Sequence, residues 1–122
     1  MGEINTQTFG RQLNELLILA TLVDGAKHGY QIALDAEQRS GGSFELQHGT
    51  LYPILHRLEK QRLIRGRWTR VGGRRRKVYE LTRAGASRLR ADASELKRTF
   101  AALMRMLTEV PLDSNRARTA ST

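Results

Sequence analysis

An amphipathic helix followed directly by a basic β-hairpin, between Gln47 and Lys77, most constrains what this chain can fold into. Spacings of three and four predict that Gln47–Leu63 is a helix with one buried side. That side is formed by Leu51, Ile54, Leu55, Leu58 and Arg62. The other side is mostly hydrogen-bonding or cationic and carries Thr50, Tyr52, Pro53, His56, Arg57 and Lys60. The sequence therefore predicts a helix that packs on a core and presents a polar surface.

The segment after this helix predicts a cationic hairpin. Residues alternate as in strands over 64–69 and again over 77–82, with a turn signal at Val71-Gly72-Gly73. The cations are Arg65, Arg67, Arg70, Arg74, Arg75, Arg76 and Lys77, and no Asp or Glu lies among them. A run of like charge is commonly only a solvated surface. Self-repulsion at a tight turn costs stability, so a polyanionic partner is the simpler explanation.

We interpret this block as a winged helix. In such a unit a helix enters the major groove of DNA, and an Arg-rich wing contacts phosphates or the minor groove. The whole chain has 122 residues, a net charge of +9 and an isoelectric point near 11, which favours nucleic acid or an anionic membrane surface as partner. The longest apolar run, Leu16–Val23, is far shorter than a membrane span needs, so we expect a cytoplasmic protein without a membrane partner. The absence of cysteine agrees with a reducing compartment.

Before this block, two helices are expected. Phe9–Asp24 is apolar on nearly all sides: Leu13, Leu16, Leu17, Ala20 and Val23 form one face, and Ile18, Leu19 and Leu22 fall outside it. A helix of this kind must be covered on nearly all sides, so we expect a partner subunit to pack on it. A second helix is predicted from Tyr30 to about Arg39, with Tyr30, Ala33, Leu34 and Ala36 directed inward. A short strand over Ser43–Leu46 could pair with the hairpin.

A long last helix is predicted after Thr82, which is a plausible N-cap. Its apolar positions alternate at spacings of three and four and form a heptad seam: Ala86, Leu89, Ala93, Leu96, Phe100, Leu103, Leu107 and Val110. A helix over 83–110 spans roughly 42 Å, so it overhangs a small domain and its seam needs a partner. Pro111 ends it. Residues 112–122 have the composition of a disordered tail.

Three blocks in this order are similar to the PadR family of bacterial transcriptional regulators. They are His28-Gly29-Tyr30-Gln31-Ile32, the run from Gly49 to Glu59, and the run from Gly73 to Gly85. The resemblance covers Leu16 to about Leu96 and is to the short subgroup with a single C-terminal helix. It implies a winged helix-turn-helix dimer in which the last helix of each subunit packs on the first and last helices of its mate.

The sequence departs from the family pattern at two places. Gln47 and His48 replace the Ser-Pro that often precedes Gly-Thr, so helix initiation is expected to be weaker. Drug-sensing members line the dimer channel with tryptophan from the last helix, whereas the only tryptophan here is Trp68 on the wing strand. An aromatic drug pocket is therefore not expected, and a small-molecule effector at the dimer interface is left open.

Several candidate residues have two interpretations at this stage. Pro53 is either a tolerated kink or a shaping element of the DNA-facing surface. Tyr52 either donates to a phosphate or packs on the wing, and Gln47 or His48 either reaches a base edge or sits near phosphate at the helix N-terminus. Arg57 and Lys60 are expected to meet phosphate or solvent. The three histidines lack ligand spacing, and no catalytic set is present, so neither a metal, a cofactor nor an enzyme is expected.

We therefore expect a mainly α fold with a small β-hairpin wing: a winged helix-turn-helix plus a long C-terminal dimerisation helix. The expected parts are a flexible arm at 1–8, a DNA-binding domain at 9–82, a dimerisation helix at 83–110 and a tail at 111–122. The residues expected to contact DNA are Gln47, His48, Thr50, Tyr52, Pro53, His56, Arg57, Arg74, Arg75, Arg76 and Lys77. Those expected at the dimer interface are Leu13, Leu16, Leu17, Leu89, Leu96, Phe100, Leu103 and Leu107.

The function expected from these parts is a homodimeric, sequence-specific regulator that binds double-stranded DNA. The resemblance adds that it is a repressor of a pseudo-palindromic operator, with release by a small-molecule effector left open. The alternative is a sequence-indifferent architectural protein that binds nucleic acid through charge alone.

Overall fold

The computed structural model describes residues 6–111. The elements follow one another as α1 (Thr6–Thr21), β1 (Lys27–His28), α2 (Gly29–Arg39), α3 (His48–Lys60), β2 (Ile64–Val71), β3 (Arg74–Leu81) and α4 (Arg83–Leu107). The three strands form one antiparallel sheet in the order β1-β3-β2. The predicted fold class is confirmed: the chain is a mainly α winged helix-turn-helix with a long C-terminal helix.

Helix α1 and the turn after it contribute to the core the apolar residues that fell outside the predicted face of α1. Ile18, Leu19 and Leu22 are 0–2% exposed. The predicted face is half-buried at Leu13, Leu16, Leu17 and Ala20 and exposed at Val23. The helix begins at Thr6, so residues 6–8 of the predicted arm are helical, and residues 1–5 lie outside the described part. Two faces of α1 are thus apolar, and residues 6–111 cover one of them only partly.

The sequence prediction of which α2 residues point into the core was partly wrong. Tyr30 is 58% exposed and Leu34 is 39% exposed, whereas Ile32 is fully buried and Ala36 is 3% exposed. Small apolar stretches fit two helical faces equally well, and tertiary packing chose between them. The strand predicted over Ser43–Leu46 is also wrong. Lys27 and His28 pair instead with Tyr79 and Val78, so they occupy the edge of β3 that such a strand needed.

The buried side of α3 is confirmed, with one exception. Leu51, Ile54, Leu55 and Leu58 are at most 4% exposed. Arg62 was expected on this side, but it lies beyond the helix with a φ of 62° and is exposed. The C-cap residue Gln61 is still in a right-handed conformation, and the left-handed conformation of Arg62 then turns the chain toward β2. The polar side of α3 therefore faces away from the core.

The wing, residues 64–81, is a regular hairpin whose strands are longer than predicted. Val71 pairs with Arg74, so Gly72 and Gly73 alone form the turn. Their φ values of 59° and 81° are those of a tight hairpin turn that favours glycine at both central positions. Because the strands extend to the turn, Arg74, Arg75 and Arg76 begin β3 and have fixed cross-strand neighbours.

Thr82 is the predicted N-cap of α4, and the structure confirms it. Its Oγ1 accepts a hydrogen bond from the Gly85 N–H at 3.0 Å, and its hydroxyl also lies 3.0 Å from the Leu63 carbonyl oxygen, to which it can donate. A Cβ at Gly85 would lie 2.0 Å from that same carbonyl oxygen, so the start of α4 approaches the backbone just before β2 as closely as glycine alone permits. The first turn of α4 is therefore fastened to the winged domain.

The chain divides into two compact units between Arg90 and Ala91. In the first unit Leu89 packs partly on the core. In the second, Leu96 is half-buried, and Phe100, Leu103 and Leu107 are 38–42% exposed. Helix α4 ends at Leu107, before the predicted residue 110, and the predicted tail lies outside the described residues except Pro111. No described helix is long and apolar enough to cross a membrane.

Candidate nucleic-acid interface

The outward side of α3 carries most of the α3 residues predicted to contact DNA. Thr50, Tyr52, Pro53 and His56 are exposed, and His48 is the first residue of the helix. Gln47 is the N-cap residue, and its side chain makes no capping hydrogen bond. The first backbone N–H groups of a helix are unsatisfied within it and carry a partial positive charge, so an uncapped N-terminus favours an anion. This end of α3 can therefore accept phosphate.

Tyr52 has a contact that neither sequence interpretation named. A Cβ at Gly29 would lie 2.8 Å from the Tyr52 hydroxyl oxygen, so the phenol ring packs directly over the start of α2. The side chain is still 46% exposed. Gly29 therefore allows α2 and α3 to meet closely, and Tyr52 combines a packing role with an exposed surface.

Arg57 turns toward α1 rather than only toward solvent. Its Nε donates to Glu15 Oε1 at 3.1 Å, and its side chain is 36% exposed. One guanidinium nitrogen, Nη2, is buried without a hydrogen-bond partner. This ion pair joins α3 to α1, so Arg57 has a role in orienting the helix that the sequence did not predict.

Lys77 is likewise engaged inside the protein. Its Nζ donates to Glu59 Oε1 at 2.9 Å, and its ammonium group lies 5.5 Å from the centroid of the Tyr79 ring. The hydrogen bond to Glu59 raises the pKa of Lys77, against a smaller opposing effect of burial. The pair connects the wing to the last turn of α3 and partly neutralises Lys77.

Arg76 connects the wing to β1. Its Nη1 lies 3.1 Å from Nε2 of His28. A guanidinium group can only donate, so Nε2 must accept and His28 must be neutral. Burial and then the charge of Arg76 lower the pKa of His28, which agrees with that assignment. Arg76 keeps its full charge in this arrangement because a neutral ring does not cancel it.

The remaining wing cations differ in how far acidic groups neutralise them. Arg65 and Arg67 share Glu80, at 2.7 Å and 3.2 Å, and the hydrogen bond from Arg65 is the main cause of the lowered pKa of Glu80. No carboxylate in the described part of the chain pairs with the four others, which are Arg70, Arg74, Arg75 and Arg76. The positive charge available to an anion is therefore concentrated at the turn end of the wing.

Sequence reasoning missed four residues that organise this surface: Glu15, Glu59, His28 and Trp68. The first three act through contacts between residues that are 18 to 48 positions apart in the chain, and no local sequence pattern predicts such contacts. Trp68 could have been found, because the hairpin register places it opposite Lys77. No group of three His, Cys, Asp or Glu side chains suited to a metal occurs within residues 6–111.

Comparison with known proteins gives a consistent result. Residues 18–91 match the model of the transcriptional regulator PadR-like family. The chain is 36% identical over 89 residues to the transcriptional regulator Rv3488 of Mycobacterium tuberculosis, covering 73% of this chain and 80% of that protein. The crystal structure of a PadR family transcription regulator from Clostridium difficile is 30% identical, with a TM-score of 0.69 over 77% of this chain and 97% of that chain. A transcriptional regulator from Clostridium thermocellum has the same fold, with a TM-score of 0.73 at 23% identity over 84% of this chain and 97% of the other.

Proposed function

Because this chain belongs to the PadR-like family of transcriptional regulators, and is therefore a DNA-binding regulator and not an enzyme, we propose that it acts as a homodimeric repressor of a pseudo-palindromic operator. The observation that carries the proposal is the set of four wing arginines without a carboxylate partner in the described residues, beside a helix with an uncapped N-terminus. Unneutralised cations on a projecting hairpin suit the phosphates of a duplex.

In this proposal the outward side of α3 supplies sequence preference. Gln47, Thr50 and His56 are exposed and can form hydrogen bonds with base edges. Arg57 and Lys77, which were predicted to contact DNA, act mainly through Glu15 and Glu59 to hold α3 and the wing in place. The wing arginines then contribute affinity that is independent of sequence.

Support for a dimer comes from apolar surface that the described chain leaves partly uncovered. On α1 this surface is Leu13, Leu16 and Leu17, and on α4 it includes Phe100, Leu103 and Leu107. Large apolar side chains repeated along one helix face typically pack against another helix. Two subunits joined in this way present two copies of α3 to one duplex, and a bound dimer blocks a promoter by occupying it.

The experiment combines assembly with DNA recognition. We expect a dimer by analytical ultracentrifugation at micromolar protein concentration. We expect a footprint of two half-sites about one helical turn, roughly 34 Å, apart on DNA enriched from the genome. The footprint should persist in excess random DNA. A monomer without preference among sequences contradicts the proposal, whereas a dimer whose footprint disappears in competitor supports the sequence-indifferent architectural alternative.

A charge on the α4 seam provides a specific test of the interface. Leu103→Asp should produce a monomer that keeps its helical content, because Leu103 is 42% exposed and the change leaves no cavity in the core. Arg105→Asp is the matched control, since Arg105 is exposed on the same helix but lies off the heptad seam. If both variants remain dimeric, the seam is not the interface.

A further inference from the structure

The single tryptophan of the chain is unusually exposed for its size. Trp68 lies in the middle of β2 and its side chain is 60% exposed. An aromatic residue that large generally buries much of its surface, which makes an exposed indole an informative exception. Nothing in the core of the winged domain requires Trp68, because the core on this strand is formed by Ile64.

Arg75 holds the indole from one side. Its guanidinium carbon lies 5.0 Å from the centroid of the Trp68 ring, which is a cation–π distance. Arg75 also pairs directly across the hairpin with Arg70. Two adjacent arginines repel one another, so stacking on the ring stabilises an arrangement that the charges alone disfavour.

The strand register places these groups on the side of the wing that faces α3. Trp68 pairs with Lys77 and Arg70 with Arg75, and residues two apart on a strand point to the same side. Lys77 reaches Glu59 of α3 from this side. Trp68 therefore lies on the same side of the wing as the connection to α3, the helix that carries residues predicted to contact DNA.

The chemistry of this cluster matches a sugar–phosphate backbone. The cluster consists of Trp68, Arg70 and Arg75. The indole N–H and both guanidinium groups can only donate hydrogen bonds, so these three side chains offer several donors and an apolar ring face but no acceptor. A duplex backbone offers the reverse: phosphate oxygens that accept and deoxyribose rings with an apolar face. We propose that Trp68 is a DNA-contact residue of the wing whose indole packs against the sugar–phosphate backbone. The stacked guanidinium group of Arg75 holds the indole in position for this contact. This inference rests on the proposed function and adds a residue to it.

The sole tryptophan reports on its own environment, so the first experiment is optical. Duplex DNA that the protein has enriched from a random-sequence pool is added while acrylamide quenching of the emission is measured. Binding is followed independently by the anisotropy of the same duplex labelled with fluorescein. We expect protection from acrylamide to rise in step with anisotropy. Full binding by anisotropy without any change in quenching overturns the inference and leaves the proposed function standing; no binding to any duplex refutes both.

Variants separate a contact from a purely structural role. Trp68→Ala should weaken binding about ten-fold on every duplex, and Trp68→Phe by less because a ring face remains. The slope of log affinity against log salt should stay unchanged, since the indole is uncharged. Val71→Ala is the control, because Val71 is 57% exposed on the other side of the same strand. The affinity of this variant for DNA should equal that of the wild type.

A wing that merely loses its shape gives a different result. In that case Trp68→Ala displaces the arginines, the salt slope falls together with affinity, and the inference is overturned. Arg75→Lys keeps the charge but not the planar stacking group. We expect it to preserve the slope and to make the additional Trp68→Ala substitution less costly than in the wild type, because the two side chains act together. Fully additive losses contradict the role given to Arg75.

Discussion

Removing the arginines at the start of β3 provides the most direct test of how this protein holds DNA. In the variant Arg74→Ala/Arg75→Ala/Arg76→Ala the wing loses three cations that no described carboxylate neutralises. All three lie at the start of β3, next to the hairpin turn, and none belongs to the core. We therefore expect the fold to survive and the loss to appear in binding alone.

The magnitude follows from counterion release. Each phosphate neutralised by a cation contributes about 0.9 to the slope of log affinity against log salt. Arg74 and Arg75 are exposed, and Arg76 keeps its charge beside neutral His28. Two to three contacts in each wing of a dimer correspond to a reduction of the slope by about 3.6 to about 5.4. Over a four-fold rise in salt, the larger value changes the ratio of the wild-type affinity to the variant affinity by about 2,000-fold.

The assay is fluorescence anisotropy of a labelled duplex at several salt concentrations, with an enriched and a scrambled sequence of equal length. The control is Arg83→Ala/Arg90→Ala/Arg105→Ala, which removes the same charge from exposed positions of α4. Its slope should change by less than about 1, because these side chains make no proposed phosphate contact. The wing variant should lose affinity equally on both duplexes.

Two outcomes refute this reasoning. If the slope of the wing variant equals that of the wild type, the wing arginines do not meet phosphates. If the α4 variant loses as much slope as the wing variant, net charge rather than the position of the cations governs binding, which favours the architectural alternative.

Three further predictions concern stability, pH and charge. Gly85→Ala should lower the free energy of unfolding, measured by urea denaturation, by about 2–3 kcal/mol, because the added Cβ meets a backbone carbonyl oxygen. The control Gly10→Ala, which has open space around the added Cβ, should raise the free energy of unfolding by about 0.5–1 kcal/mol. The pKa of His28 in the folded protein lies below its ordinary value of 6.5, so the unfolded chain is protonated at this residue at a higher pH than the folded chain. The thermal midpoint should therefore fall as the pH drops from 7 through the folded-state pKa. His28→Gln should make the thermal midpoint depend less on pH. Glu59→Gln should release Lys77 to a phosphate, which steepens the salt slope by about 1 per subunit, while stability changes by less than about 1 kcal/mol since both side chains are about 30% exposed.

The sequence predicted those elements whose residues repeat with a clear period or carry a local signal. The buried side of α3 and the cap at Thr82 followed from residues close together in the chain. Helix α2 was misjudged because its short apolar stretch fits two faces, and only packing against the rest of the core selects Ile32 over Tyr30. The strand β1 carries no period at all, since it is two residues long.

The sequence predicted which residues make up the candidate site but not which of their side chains pair with one another. The arginine run marked the wing, and the register then fixed which arginines oppose one another. Charge counting could not show that Glu59 and Glu80 neutralise part of this run, because each pairing depends on how the wing folds. The DNA contacts themselves stay predictions, and the proposed role of Trp68 is among them.

The ion pair between Glu15 and Arg57 has a consequence for how binding preference can evolve. It ties the tilt of α3 to a side chain on α1, which is remote in sequence. We expect a substitution at Glu15 that leaves the fold intact to change the tilt of α3 and so to shift its exposed side chains together. Selection for an altered operator should therefore recover changes on α1 that never approach a nucleotide.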